Sequence, residues 1–234
     1  MFVALLERLQ GLERQSSRTV TTSELTDLLR KAVKIPQVRL YTSRSPGVDL
    51  DCVSIGGTYD SVLDAEDEPC VEISVIYNTA QQHIDTANLN WPRLLLDLAE
   101  CIGHEFVHRD QHRRKKRPSV RYRSQELDRH KKQEQEYLGS GEEIEAYGFS
   151  IAAEMAACHK CFAFDESVAG QVLMYTVYVK TFDTDQSVVL KLQRQISKYL
   201  RRLEVDYNDK NNSRQRPVTG TRRSGSTGRS SGRK

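Results

Sequence analysis

The chain has 234 residues, of which 38% are hydrophobic and 29% are charged, and its formal net charge is +3. This length and balance predict one good-sized domain with a polar surface. They argue against a membrane protein, because no run approaches the roughly 18 apolar residues that cross a bilayer.

The positive charge is concentrated at the C-terminal end. Seven of the 35 basic residues lie in 214–234, which contains no Asp or Glu, so the rest of the chain has a net charge of −4. This end is rich in Gly, Ser, Thr and Arg and has almost nothing to bury, which is typical of disorder. We therefore expect a single domain over residues 1–207 and a disordered basic tail over residues 208–234.

Helical and strand patterns alternate in the first half of the chain. The N-terminal residues form an apolar stripe at helical spacing, and a second helix begins at Thr21, which has capping-box spacing to Glu24. Three strand patterns follow, at residues 37–43, 50–60 and 70–78, and they predict a small sheet of three or four strands. In the last of them, hydrophobic residues alternate with polar ones, which indicates one buried face.

The second half is predominantly helical. A long helix is predicted over residues 90–112, with Asn90 as its N-cap, and a mostly buried helix over 140–164. Two further helices are predicted around 166–181 and 184–206. The sequence therefore predicts an α+β fold with additional C-terminal helices.

The stretch GHEFVHRDQH places two histidines four positions apart on the first of these long helices. At that spacing His104 and His108 lie one above the other on the same helix face, so both imidazoles can reach one tetrahedral zinc ion. Glu105 follows the first histidine and could take a proton from a zinc-bound water. The pattern predicts a hydrolytic zinc site with Glu105 as its catalytic residue.

A catalytic zinc needs three protein ligands and one open position. The next convincing helix begins with the sequence EEIEAYGFSIAAEM, and the carboxylates of Glu142, Glu143 and Glu145 are candidates for the third ligand. These residues point in directions about 100° apart along a helix, so only one can face the metal squarely. The spacing alone leaves the three open.

HEFVH followed by EEIEAYGFSIAAE resembles the gluzincin-type zincin metallopeptidases, in which HExxH pairs with a glutamate on a later helix. The pattern is similar to the M48 group, to the repressor-cleaving ImmA/IrrE-like group, and to small metallopeptidase-like proteins of bacteriophages. Matched to the first two groups, Glu143 is the third zinc ligand beside His104 and His108. Those groups have an aspartate or an asparagine where this chain has Tyr147.

The resemblance implies a zincin-like α+β fold, with a small, mostly antiparallel sheet packed on the HExxH helix and the glutamate helix. It implies a zinc-dependent metallopeptidase that acts on a protein or peptide substrate. We interpret residues 71–78 as an edge strand that pairs with an extended substrate. Five cysteines without the spacing of a disulfide framework favour the cytoplasm, or a host cytoplasm or virion for a phage protein.

A different hypothesis is a zincin-fold component of little or no activity that associates with nucleic acid or belongs to a virus particle. The basic tail and the basic run at residues 113–123 favour this hypothesis, since both could bind a phosphate backbone. The intact Glu105 favours the enzyme. A peptidase also needs a donor for the oxyanion, and the sequence leaves four candidates open: His130, Tyr122, Tyr137 and Tyr147.

Overall fold

The computed structural model describes residues 1–14, 19–114 and 121–215. The helices and strands of the first half, in chain order, are α1 (Phe2–Gln10), β1 (Thr19–Thr21), α2 (Thr22–Val33), β2 (Val38–Arg44), β3 (Val53–Tyr59), α3 (Ser61–Ala65), β4 (Val71–Tyr77) and β5 (His83–Asp85). The helices of the second half are α4 (Trp91–Arg114), α5 (Arg129–Leu138), α6 (Gly141–His159), α7 (Glu166–Ala169), α8 (Leu173–Thr181) and α9 (Gln186–Gln215). The α+β class is confirmed. Among the described residues, no helix combines the length and apolar character needed to cross a bilayer.

The predicted helix starts are confirmed by their capping hydrogen bonds. Thr21 Oγ1 accepts from the backbone N–H of Glu24 at 3.1 Å, and Glu24 Oε2 accepts from the backbone N–H of Thr21 at 2.7 Å. Asn90 Oδ1 accepts from the backbone N–H of Arg93 at 3.2 Å, which fixes the start of α4. These short side chains satisfy N–H groups that have no partner within the helix.

The main sheet has three strands in the order β2–β4–β3. Strand β4 pairs with β3 in antiparallel register and with β2 in parallel register. The expectation of a mostly antiparallel sheet is therefore wrong for this sheet. A separate two-stranded antiparallel ribbon of β1 and β5 was not predicted, because three-residue strands give no periodicity to recognise.

A crossover at the end of β4 explains the mixed topology. After β2, the backbone N–H of Ser45 donates to the carbonyl of Tyr77 at 2.9 Å, and Asn78 Nδ2 donates to the carbonyl of Val48 at 2.6 Å. The chain thus passes across the end of β4 and returns as β3 on its other side. Strand β4 then fills the centre, so the interpretation of residues 71–78 as an edge strand is wrong.

Helix α4 packs against β3, β4 and α6. A Cβ at Gly103 would overlap the ring of Phe149, and a Cβ at Gly148 would lie 2.5 Å from Cβ of Gln195. The glycines therefore let α4 approach α6, and α6 approach α9, more closely than any larger residue would allow. This packing brings the HExxH segment against the first half of α6.

Helix α9 continues to Gln215, beyond the predicted domain end. Residues 208–215 are therefore helical, so α9 runs past the predicted domain end at residue 207. Polar residues extend an existing helix there, because each added residue gains one backbone hydrogen bond without a new nucleation step. The rest of the predicted tail, residues 216–234, lies outside the described residues.

The last turns of α4 are fixed to α3 by a buried carboxylate. Asp64, whose side chain is 6% exposed, accepts hydrogen bonds from Arg109 Nε at 2.8 Å and from Arg113 Nη2 at 2.8 Å and Nε at 2.9 Å. The hydroxyl of Tyr59 and the thiol of Cys70 also donate to it. The Arg113 guanidinium, together with Arg109, holds the pKa of Asp64 well below its usual range although burial opposes this.

We expect Asp64→Asn to lower the free energy of unfolding by about 1–3 kcal/mol at neutral pH, because the amide leaves charge-assisted donors poorly paired. The folded-state pKa is lowered, so this contribution is present above the unfolded pKa near 4 and is lost as the pH falls through the folded value. Urea denaturation of both proteins between pH 7 and pH 3 measures it. The exposed Asp49→Asn is the control, and an equal effect of both variants would contradict the role of Asp64.

Candidate metal centre

The two histidines of α4 face the same point in space. His104 Nε2 and His108 Nε2 are 3.1 Å apart, and their ring centroids are 4.8 Å apart. Both side chains are largely buried, being 12% and 17% exposed. The pair has the geometry expected of i, i+4 residues whose rings turn toward one shared ligand.

Glu143 completes the cluster from the first turn of α6. Its backbone N–H donates to Ser140 Oγ at 3.2 Å, the N-cap that starts this helix. Its Oε1 lies 3.5 Å from His108 Nε2 and its Oε2 lies 3.6 Å from His104 Nε2. Burial raises the pKa of Glu143, but the two imidazoles outweigh it and lower that pKa to about 2. The carboxylate is therefore ionised when α4 and α6 are packed together.

The carboxylates of the other two candidate glutamates do not join the cluster. Glu142 is half-buried and borders the space in front of the histidines, but its carboxylate is not among the ligand atoms that converge. Glu145 accepts hydrogen bonds from Lys198 Nζ at 2.6 Å and from the Tyr199 hydroxyl at 3.2 Å, both on α9. Of the three, Glu143 is the one whose carboxylate lies beside both histidines.

The donor set fits a tetrahedral metal ion. Ligand atoms about 2.0–2.1 Å from a zinc ion are about 3.4 Å from one another, and the separations here are 3.1, 3.5 and 3.6 Å. Oε2 of Glu143 is buried without a hydrogen-bond partner among the described residues, which an isolated carboxylate tolerates poorly. In the described part of the chain, these three residues are the only group whose ligand atoms converge closely enough to hold a metal.

A second layer of contacts orients the imidazoles. Gln111 Nε2 donates to the backbone carbonyl of Glu142 at 2.9 Å, which turns its Oε1 toward His108 Nδ1 at 3.0 Å. That oxygen can only accept, so Nδ1 of His108 carries the proton and its Nε2 presents a lone pair. His104 Nδ1 lies 3.3 Å from Ser150 Oγ, which supports the other ring. Such partners are what a metal-binding histidine needs to keep its tautomer and direction.

Gln111 and Ser150 were not predicted as partners of the two histidines, although helical spacing could have indicated both. Gln111 stands three positions after His108, and Ser150 seven positions after Glu143, so each lies on the face of its helix that carries a predicted ligand. Polar residues at these positions carry no motif of their own, and their roles emerge once α4 and α6 are side by side.

Glu105 lies next to the cluster, with only 7% of its surface exposed. Burial raises its pKa, while the neighbouring histidines and a hydrogen bond from the backbone N–H of Tyr59 act in the opposite direction. The carboxylate is thus held between α4 and strand β3, at the open side of the three ligand atoms. A carboxylate with a raised pKa in such a position is suited to accept and return a proton near neutral pH.

Because Gly57 of β3 has no side chain, it leaves the space that the side chain of Glu105 occupies. A Cβ at Gly57 would lie 2.6 Å from Cys101 Sγ, 2.9 Å from Glu105 Cγ and 3.0 Å from Glu105 Oε1. No side chain fits between the strand and the helix here. Its neighbour Gly56 differs, since its Cβ would meet nothing closer than 3.4 Å, the Cδ1 of Ile76.

The structure separates the candidate oxyanion donors. Tyr137 lines the space in front of the histidines, and the Tyr147 ring packs on the His104 ring with centroids 4.7 Å apart. Burial, Glu143 and Tyr147 raise the pKa of Tyr137, so its hydroxyl keeps its proton and can donate. Tyr122 instead donates to Asp185 at 3.0 Å, and His130 is exposed on α5. Tyr137 and Tyr147 are therefore the candidates that reach the site.

The basic run at residues 113–123 is partly occupied by ion pairs. Arg113 binds Asp64, and Arg114 Nη2 lies 3.5 Å from Glu145 Oε1. Arg121 and Arg123 are exposed, while residues 115–120 lie outside the described residues. Contact of this run with nucleic acid stays a prediction.

Comparison of the chain with protein-family models, with curated proteins and with solved structures finds no match.

We expect the purified protein to bind about one zinc ion per chain, and His104→Ala, His108→Ala or Glu143→Ala to weaken that binding more than about 100-fold, because two ligands do not hold zinc tightly. Competition with a chromophoric chelator measures the affinity. Glu142→Ala, on the same turn of α6, is the matched control and should bind zinc as the wild type does. Unchanged affinity in the Glu143 variant, or a large loss in the control, would contradict the site.

Proposed function

We propose that the protein is a zinc-dependent metallopeptidase in which His104, His108 and Glu143 hold the metal and Glu105 is the catalytic acid–base. The convergence of these three ligand groups beside the buried carboxylate of Glu105 is the observation that supports it most strongly. A bound zinc ion would supply a Lewis acid that polarises a peptide carbonyl and makes water acidic enough to react near pH 7.

Glu105 performs the proton transfers in this proposal. It accepts the proton of the attacking water and returns it to the leaving amine, which a carboxyl with a raised pKa does efficiently. Tyr137 and Tyr147 line the cavity beside Glu105, and in this proposal their hydroxyls would stabilise negative charge on the carbonyl oxygen. The alternative, a zincin-fold component without turnover, gives no reason to keep Glu105 buried at this point.

Strand β3 replaces residues 71–78 as the edge that would pair with an extended substrate. The backbone N–H of Asp60 donates to the carbonyl of Cys70 at 2.8 Å, so by antiparallel alternation the backbone groups of Tyr59 and Gly57 face away from β4. The N–H of Tyr59 already donates to Glu105, so the groups offered to a substrate are the carbonyl of Tyr59 and both groups of Gly57. Both residues border the metal cluster. A peptide added to this edge would pass directly over Glu105.

Glu105→Gln tests the chemistry separately from metal binding. We expect the variant to retain zinc and to lose hydrolysis of casein-derived peptides by a factor of about 10²–10⁴, because an amide cannot accept the proton. Chelator competition and peptide assays on the same samples provide both values. The exposed Glu134→Gln of α5 is the control. Full activity of the Glu105 variant would refute the mechanism.

Gly57→Ala tests the position of Glu105. The added methyl must displace Cys101 and Glu105, and a misplacement of about 1 Å can reduce turnover about 100-fold. We expect this loss in kcat/KM with zinc affinity retained, since the atoms nearest to the methyl belong to Cys101 and Glu105 and not to a candidate ligand. Gly56→Ala, one residue earlier, should retain wild-type activity. Similar activity of the two variants would mean that the β3–α4 contact does not set the catalytic geometry.

A further inference from the structure

A cavity of about 510 Å³ extends from the metal cluster along α4, in the direction of its N-terminus. It shares Gly57, His104, Glu105 and Tyr137 with the space in front of the histidines, so the two are continuous. Strand β3, α6 and α8 form its walls. The residues at the far end of this cavity have no role in the proposed metal binding or in the proposed proton transfer.

That far end is acidic. Asp97 and Glu100 line it from α4 and Glu154 lines it from α6, against the single positive charge of Arg93. Arg93 binds Asp97 Oδ1 at 2.8 Å and Glu154 Oε1 at 2.7 Å. The single positive charge of Arg93 is thus shared between two carboxylates. Glu100 adds a third carboxylate to this end of the cavity.

Glu100 is the unusual member of this group. Its Oε1 is buried and has no hydrogen-bond partner among the described residues, although the side chain lines the cavity. Burial, with Glu154 nearby, raises its pKa well above the ordinary value. An unpaired carboxyl in such a place costs stability, which is typical of a group kept for a ligand.

The ligand class follows from the rest of the lining. A second metal ion is not supported, because the described acidic residues here do not converge as ligands, unlike the histidine cluster. The cavity also has an apolar wall, formed by Ile55 of β3 and by Met174 and Val177 of α8. An apolar wall that leads to carboxylates suits a long side chain with an aliphatic stem and a positive end.

We propose that this cavity is the subsite for a basic side chain, arginine or lysine, of the peptide substrate. The proposal rests on the proposed function, since it assigns the substrate class of the same site. The aliphatic stem lies against Ile55 and Val177, and the cationic group reaches Glu100. Because the cavity opens beside Glu105, the basic residue stands close to the scissile bond, and its charge selects which bond is cleaved.

The activity test is a cleavage profile. A peptide pool made from cell lysate by a glutamate-specific protease is digested with the zinc-loaded protein, and mass spectrometry gives residue frequencies around each new terminus. We expect arginine or lysine to be enriched about tenfold at one position near the cleaved bond, as a charge-assisted hydrogen bond provides. Glu100→Gln should abolish the enrichment and Glu204→Gln, exposed on α9, should not. Cleavage without a basic preference would overturn the subsite and leave the peptidase standing.

A binding test separates the subsite from turnover. In zinc-loaded Glu105→Gln, fluorescence anisotropy compares nine-residue labelled peptides of Ala, Gly and Ser that carry one central arginine, lysine or citrulline. The basic peptides should bind at least about tenfold more tightly than the neutral, isosteric citrulline peptide. Adding Glu100→Gln should remove the difference. If the difference is found but the wild type cleaves no peptide, the peptidase proposal fails and the subsite stands. Equal or undetectable binding of all three peptides would overturn the subsite.

Thermal unfolding distinguishes this role from a structural one. If Glu100 supported the fold, Glu100→Gln would lower Tm. We expect Tm of this variant at pH 7.5 to equal or exceed that of the wild type, because the variant no longer buries an unpaired carboxylate. A lower Tm together with unchanged cleavage preference would assign Glu100 to the fold alone.

Discussion

Helix α4 touches its neighbours at two places where one of the two contacting residues is a glycine, and the geometry of the site depends on both. At Gly57 the strand β3 comes against Cys101 and Glu105, and at Gly103 the helix comes against Phe149 of α6. The contact at Gly57 sets the position of the Glu105 side chain relative to the edge of strand β3. The second sets the distance between the helix that carries two candidate ligands and the helix that carries the third.

The charges around the site are arranged along these two helices. Toward the C-terminal end of α4, Arg109 and Arg113 both pair with Asp64, so two guanidinium groups share one carboxylate. Toward its N-terminal end, carboxylates outnumber the one guanidinium of Arg93. The site therefore lies between an end with excess basic charge and an end with excess acidic charge, a polarity that favours a positively charged ligand on the acidic side.

Features encoded within one helix turn or one strand were predictable from the sequence. The spacing of His104 and His108, the capping pair of Thr21 and Glu24, and the burial of one face of β4 are local consequences of backbone geometry. The neighbours of each element were not predictable in this way. Alternation gave β4 one buried face, but a central and an edge strand can share that pattern, and the crossover at Tyr77 decides between them.

Contacts between distant segments account for most of what the sequence did not reveal about the site. Gln111 and Ser150 gain their roles from the packing of α4 on α6, and Glu100 from the walls that β3 and α8 add. Glycines were similarly ambiguous, since Gly56 and Gly57 are adjacent and only one faces the helix. Composition gave no sign of where α9 ends, because a helix already packed on α6 can continue into polar sequence.

Glu100 of the proposed subsite and the candidate ligand His104 both lie on helix α4, which fixes the distance between them. Glu100 and His104 are one turn apart on a single helix, so the spacing between recognition and chemistry is about 6 Å along the axis. No loop lies between them that could stretch or shorten it. An extended peptide advances by about 3.4 Å per residue, so sliding by a single position would move the scissile bond off the metal cluster. Anchoring one side chain would therefore fix which peptide bond beside a basic residue the proposed enzyme cuts.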